Sequence, residues 1–191
     1  MGITNDIKNE IMLINEEFMS EAEDKYNFWE EHVKYVLQEA LALAAKYNAD
    51  AEIVELAAML HDVALMARVG TRKEHHVNGA EIAENMLSKY NYPQDKTQKV
   101  KTCIINHRSS KNSTNIEDVC VADADILAHF DNIAMIFSNI LNRNKHDNIT
   151  LPELRSNIKK AFDKDYDDLS EETKKHFGDR YKTICQIVFG V

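Results

Sequence analysis

At 191 residues and a net charge of −9, the chain is long enough for one substantial core and too short for two comfortable ones. Its acidic balance excludes a nucleic-acid polymer as the main partner, since phosphate backbones need a basic stripe, but not a small anion held beside a divalent ion. Five glycines, two prolines and the lack of long strand-like alternation predict an all-α domain.

Residues 5–24 read as an amphipathic helix, with Ile7, Ile11, Ile14 and Phe18 on one face and Asn5 or Asp6 as cap. A break near Lys25–Asn27 leads to a second helix, on which Phe28, His32, Tyr35, Val36, Glu39 and Leu43 share a face. Asp50 caps a helix over 51–66, AEIVELAAMLHDVALM, whose stripe Ile53, Leu56, Ala57, Leu60 and Ala64 also contains His61, with Asp62 one position around. A polar loop with Arg68, Gly70, Arg72 and Lys73 precedes a helix from about His75 to Tyr90, which carries His75 and His76 in its first turn. Tyr92–Pro93 opens the next helix, where Val100, Cys103 and Ile104 lead to His107.

A second polar loop holds Arg108 and Lys111. Asn115 then starts a helix through VCVADADILAHFDNIAMIFSNIL, in which Asp123 and Asp125 interrupt an apolar run. Thr150 and Glu153 form a capping box around Pro152, opening a helix to about Phe162. The acidic stretch DKDYDD reads as a turn, and a last helix ends in ICQIVF. These last forty residues read as structural, and His129 and His146 as doing nothing special. Cys103, Cys120 and Cys185 read as reduced and buried, without a CxxC thiolate site. With neither a signal peptide nor a run of eighteen apolar residues, the expectation is a soluble cytoplasmic protein without membrane contact, in which the N-terminal helix could form a homodimer contact.

A lone histidine on an apolar face is more often a core residue bonded to backbone than a ligand. Here His32, His61 with Asp62, His75 or His76, His107, and Asp125 or Asp123 all turn inward on successive helices. One domain rarely buries that many ionisable groups without a cation, and imidazole with carboxylate suits a divalent metal.

The order His32, His61–Asp62, Asp125 resembles the HD superfamily of metal-dependent phosphohydrolases. EHVKYVLQEALALA, LAAMLHDVA, KEHHVNGAEIAENML and VADADILAHF resemble its successive motif segments, over about residues 28–135. The resemblance implies a single HD-type helical bundle of about seven to nine helices over 1–191, with helices 5–24 and 150–188 packed on the motif core. It implies metal ligation by His32, His61, Asp62 and Asp125, the second Asp of the D-x-D run being preferred to Asp123. In some members two further histidines bind a second metal or the substrate phosphate; His107 fits one, and His75 fits the other better than His76, because Gly79 follows it by four.

Asp62, His107 and His75 are the expected catalytic residues. Arg68, Arg72, Lys73, Arg108 and Lys111 are the expected substrate-binding ones, holding phosphate by charge-assisted hydrogen bonds. The metal could be Mn, Fe, Co, Ni, Zn or Mg, in a mononuclear or dinuclear site. The expected reaction is hydrolysis of a small phosphate ester or nucleotide by a metal-activated water. A di-iron oxygenase and a non-catalytic nucleotide- or metal-binding regulatory domain are the rival readings. VALMAR after the HD pair replaces the Lys or Gly of several hydrolytic relatives, so no single relative's substrate transfers.

Overall fold

The computed structural model describes residues 2–21, 26–143 and 149–190, and all regular structure in these residues is helical. His146 and positions 22–24 of the expected first helix lie outside the described residues.

Helix α1 (Ile3–Glu21) buries Ile7, Ile11 and Asn15 and packs on the following HD segment. Ile7 and Ile11 of its apolar stripe are thus covered by the same chain. The second helix does not start as an α-helix. Trp29–Val33 form a π turn, and α2 (Lys34–Tyr47) continues from it to a left-handed cap at Asn48, φ 55°. Two buried asparagines pin this turn. Asn15 Oδ1 accepts from Trp29 N at 3.0 Å, and Asn132 Nδ2 donates to Glu31 O at 2.8 Å. The wider π turn re-aims His32 without interrupting the apolar stripe, so periodicity alone cannot show it.

The expected helix over 51–66 is also two helices. Asp50 caps α3 (Ala51–Leu60), accepting from Glu52 N and Ile53 N as anticipated. His61 forms its C-cap, Asp62 leaves helical geometry at φ −111°, ψ 16°, and α4 (Val63–Met66) follows. The break is invisible to periodicity because the residues on both sides stay apolar and buried. Gly70, at φ 71°, turns the chain toward α5 (His75–Lys89) in a conformation that favours glycine. A Cβ at Gly79 would stand 3.4 Å from the His61 carbonyl, an ordinary contact, so α5 lies close against the HD turn with room for little more than a methyl group there.

Helix α6 (Gln94–Asn106) starts after Pro93 and ends at His107. Asn115 caps α7 (Ile116–Asp131) through Asp118 N. The expected long helix stops there. Asn132 takes φ −114°, ψ 67°, accepts from Met135 N at 3.1 Å, and so caps a new helix, α8 (Ile133–Arg143). The capping box at Thr150 and Glu153 is present, but α9 (Leu151–Asp168) runs through the acidic stretch expected to turn. Lys159–Asp163 and Lys164–Asp168 pairs, four apart, neutralise that stretch along the helix. Helix α10 (Glu171–Ile184) follows, ending in a second π turn, Cys185–Phe189.

Helices α2, α3, α6 and α7 surround the core, where Leu43, Leu56, Leu60, Ile104 and Leu127 are fully or almost fully buried, and α9 and α10 cover α7. The three cysteines are free and buried, as expected. No helix among the described residues is long and apolar enough to cross a membrane.

Candidate metal centre

The HD pair sits at a junction because each residue needs a different backbone. His61, at the end of α3, folds its ring back so that Nδ1 lies 2.7 Å from Ala58 O. His107, at the end of α6, makes the same reach to Ile104 O at 2.6 Å, and His75 bonds Arg72 O at 2.6 Å. A carbonyl oxygen can only accept, so Nδ1 carries the hydrogen in all three rings. In the neutral rings Nε2 is therefore a bare lone pair.

Those lone pairs converge. His75 Nε2 and His107 Nε2 are 3.1 Å apart, and His61 Nε2 stands 3.1 Å from His32 Nε2. Carboxylates close the cluster. Asp62 Oδ1 is 3.1 Å from His75 and 3.7 Å from His107, while its Oδ2 is 3.6 Å from both His32 and His61. Asp125 Oδ1 is 3.2 Å from His32 Nε2 and 3.7 Å from His61 Nε2.

Lone pairs and carboxylate oxygens at such separations repel unless positive charge lies among them. The protonation preferences say the same. Burial opposes ionisation of Asp62, but His61, His75, His107 and His32 outweigh it and hold the carboxyl well below its usual range. Asp125 is likewise held down against burial, by His32, His129 and His61. Burial and neighbouring His61 push His107 down to about 4, keeping it a neutral donor. A divalent cation fits this donor set. His32, His61 and Asp62 form one group within reach of an ion, and Asp62, His75 and His107 form another. Asp62 belongs to both.

The cluster lies at the bottom of a cleft of about 640 Å³, within the range of small-molecule sites. Arg72, Lys73 and Arg108 line one side. Phe18, Tyr26 and Phe28 line another, and Met135, Ser138, Asn139 and Asn142 of α8 complete it.

Among the expected ligands, the structure brings His32, His61, Asp62, His75, His107 and Asp125 together. It turns His75 inward, not His76, whose ring stays outside the cluster with Arg108 among the charges acting on it. Asp123 is fully buried elsewhere, accepting from Ser170 N at 3.0 Å and Ser170 Oγ at 2.5 Å at the start of α10. Of the five basic residues, Arg68 and Lys111 do not line the cleft. Arg68 pairs with Glu21 and lies over Phe18, and Lys111 pairs with Asp168.

His129, expected to do nothing special, lines the cleft. Its Nδ1 is 2.9 Å from Asp165 Oδ2, and its Nε2 is 3.9 Å from Asp125 Oδ1. Burial lowers its proton affinity, but Asp165 and Asp125 prevail and push its pKa up to about 9. Its position one turn after Asp125 was a usable signal. Asp165 had none, because its segment read as a turn.

The HD domain family matches residues 29–129 of the chain. A solved structure described as a predicted HD superfamily hydrolase from an uncultured Thermotogales bacterium shares the fold, with a TM-score of 0.64 and 21% identity over 98% of this chain and 95% of that one. No curated protein matches the chain. With its His, His-Asp and Asp side chains gathered at one cleft and more than half its length matched, the chain belongs to the HD domain family.

Proposed function

We propose that the protein is a metal-dependent phosphohydrolase acting on a small phosphate ester, with a nucleotide as the favoured class. The observation that carries this reading is the joining of a cation-demanding His/Asp cluster to a cationic wall in one cleft. His32, His61, Asp62 and Asp125 would hold one ion, and Asp62, His75 and His107 a second. A divalent ion bound there supplies a water acidic enough to ionise near neutrality and a contact that polarises a phosphoryl oxygen. The protein's own groups do the rest. Arg72, Lys73 and Arg108 bind the phosphate oxygens and orient the ester toward the cluster. Phe18, Tyr26 and Phe28 offer an apolar wall to the organic part, and Asn139 and Asn142 offer amides that can read its polar edge. Three free, buried thiols support a reducing compartment such as the cytoplasm.

Metal analysis of the purified protein, joined to phosphate-release assays on nucleotides and sugar phosphates with Mn²⁺ or Co²⁺, tests the proposal. Stoichiometric metal with phosphate release is expected; full metal occupancy without turnover on any phosphate would instead support a regulatory domain. One observation favours a second reading. The two oxygens of Asp62 face separate histidine pairs, an arrangement that also suits the dinuclear iron of an oxygenase. Iron-dependent oxygen uptake without phosphate release would establish that alternative.

A further inference from the structure

His129 follows Asp125 by one helical turn on α7, so both side chains leave the same face into the cleft. Its Nδ1 lies 2.9 Å from Asp165 Oδ2 on α9. Its ring stacks on that of His32, with 5.8 Å between centres and 23° between planes. Nε2 is turned toward Asp125 Oδ1 at 3.9 Å, the oxygen that His32 and His61 also approach. The ligand atoms of His32, Asp125 and His129 all lie within 4.8 Å of one another, close enough for a single ion.

We infer that His129, oriented by Asp165, is a further ligand of the ion held by His32, His61, Asp62 and Asp125, an inference that rests on the metal-site reading above. Metal-ligating histidines as a rule give their far N–H to an acceptor, which fixes the tautomer and aims the lone pair. At His61, His75 and His107 a backbone carbonyl does this; at His129 a carboxylate does, and a carboxylate also makes the ring a stronger donor. Because Nε2 turns toward Asp125, itself a proposed ligand, an ion bound there would take the place of the Nε2 proton. Asp165 lies beyond the family-matched segment 29–129. Helix α9 therefore contributes to holding the ion as well as covering α7.

The test is Mn²⁺ binding by metal-free protein, followed by electron paramagnetic resonance of free Mn²⁺, with the visible spectrum of the Co²⁺ form as second readout. His129→Ala should weaken binding by roughly 10- to 100-fold and alter the Co²⁺ spectrum, and Asp165→Asn should weaken it by about tenfold. Circular dichroism checks that each variant is folded. If His129→Ala does not fold, Asp165→Asn decides, since it keeps the ring. Wild-type affinity and an unchanged Co²⁺ spectrum in a folded variant would overturn the inference and leave the metal site standing. Failure of the wild type itself to bind Mn²⁺ or Co²⁺ would remove both readings together.

Discussion

Asp62 and the arginines of the cleft wall make separable predictions, because in the proposed function one kind of residue holds the ion and the other the substrate. Asp62 offers one oxygen to each histidine pair, so Asp62→Ala should lower metal affinity at least about a hundredfold and abolish turnover. Elemental analysis after gel filtration measures the first, and retained metal with retained activity would refute the ligand assignment. Arg72→Ala and Arg108→Ala should leave metal content unchanged. Each removes a charge-assisted hydrogen bond of about 1.5–3 kcal/mol, so kcat/KM should fall roughly 10- to 100-fold, mostly through KM. Lys111→Ala is the contrasting control: Lys111 pairs with Asp168 away from the cleft, and its loss should leave kcat/KM within about twofold. Loop position alone did not separate these residues. Arg68, Arg72, Lys73, Arg108 and Lys111 all sit in loops beside histidines, and only the turn of the backbone decides which side chains enter the cleft.

At the scale of elements, the D-x-D run shows how one helix divides its duties. Asp125 faces the proposed ion site, whereas Asp123, two residues earlier and on another face, accepts two hydrogen bonds from Ser170 and fixes the start of α10. Asp123→Ala should therefore cost about 2–3 kcal/mol in urea denaturation without changing metal affinity. Asp125→Ala should lower metal affinity while leaving the stability of the metal-free protein unchanged, and metal loss from the Asp123 variant would undo the distinction. Gly79 gives a second test at this scale. Gly79→Val puts branched methyl groups against His61 O, Ile104 and Val63, and should destabilise the fold by about 1–3 kcal/mol while drawing His75 away from Asp62. Gly79→Ala should be close to neutral, since its Cβ meets the carbonyl at ordinary contact distance.

The same scale shows what was legible in the sequence. Apolar stripes ending in His61 and His107 placed both rings inward, and the caps at Asp50, Asn115 and Thr150 are where their side-chain chemistry puts them. The breaks were hidden. The π turn at Trp29–Val33, the junction at His61–Asp62 and the restart at Asn132 each change the backbone over one or a few residues while hydrophobic spacing continues. DKDYDD misled for the opposite reason: its composition suits a turn, and lysines one helical turn earlier carry it into α9.

For the whole molecule, the ion should act as a fastener. Its proposed ligands come from the π turn before α2, the α3–α4 junction, α5, the end of α6, and α7, elements far apart in sequence. An ion at a thousand times its Kd stabilises the folded state by about 4 kcal/mol, provided the unfolded chain does not bind it. Removing it with a chelator should lower Tm by roughly 8–16 °C for a domain of this size. Differential scanning calorimetry with and without added Mn²⁺ measures this, and equal Tm values would show that the ion does not bind the folded protein in preference to the unfolded chain. Helices α9 and α10 lie on α7, and Asp123 and Asp165 tie both sides of that contact.

The bonds from His61 to Ala58 O and from His107 to Ile104 O carry one more implication. Each satisfies a carbonyl in the last turn of a helix, where no backbone N–H four residues on is in helical position to do so. These two histidines thus finish α3 and α6 whether or not an ion is present, and a descendant that had lost all chemistry would still gain stability by keeping them. Asp62 and Asp125 have no such second use for their side chains. In comparing descendants of this chain, loss of either carboxylate is therefore the sensitive sign of a silenced centre, and survival of the two histidines is a poor sign of an active one.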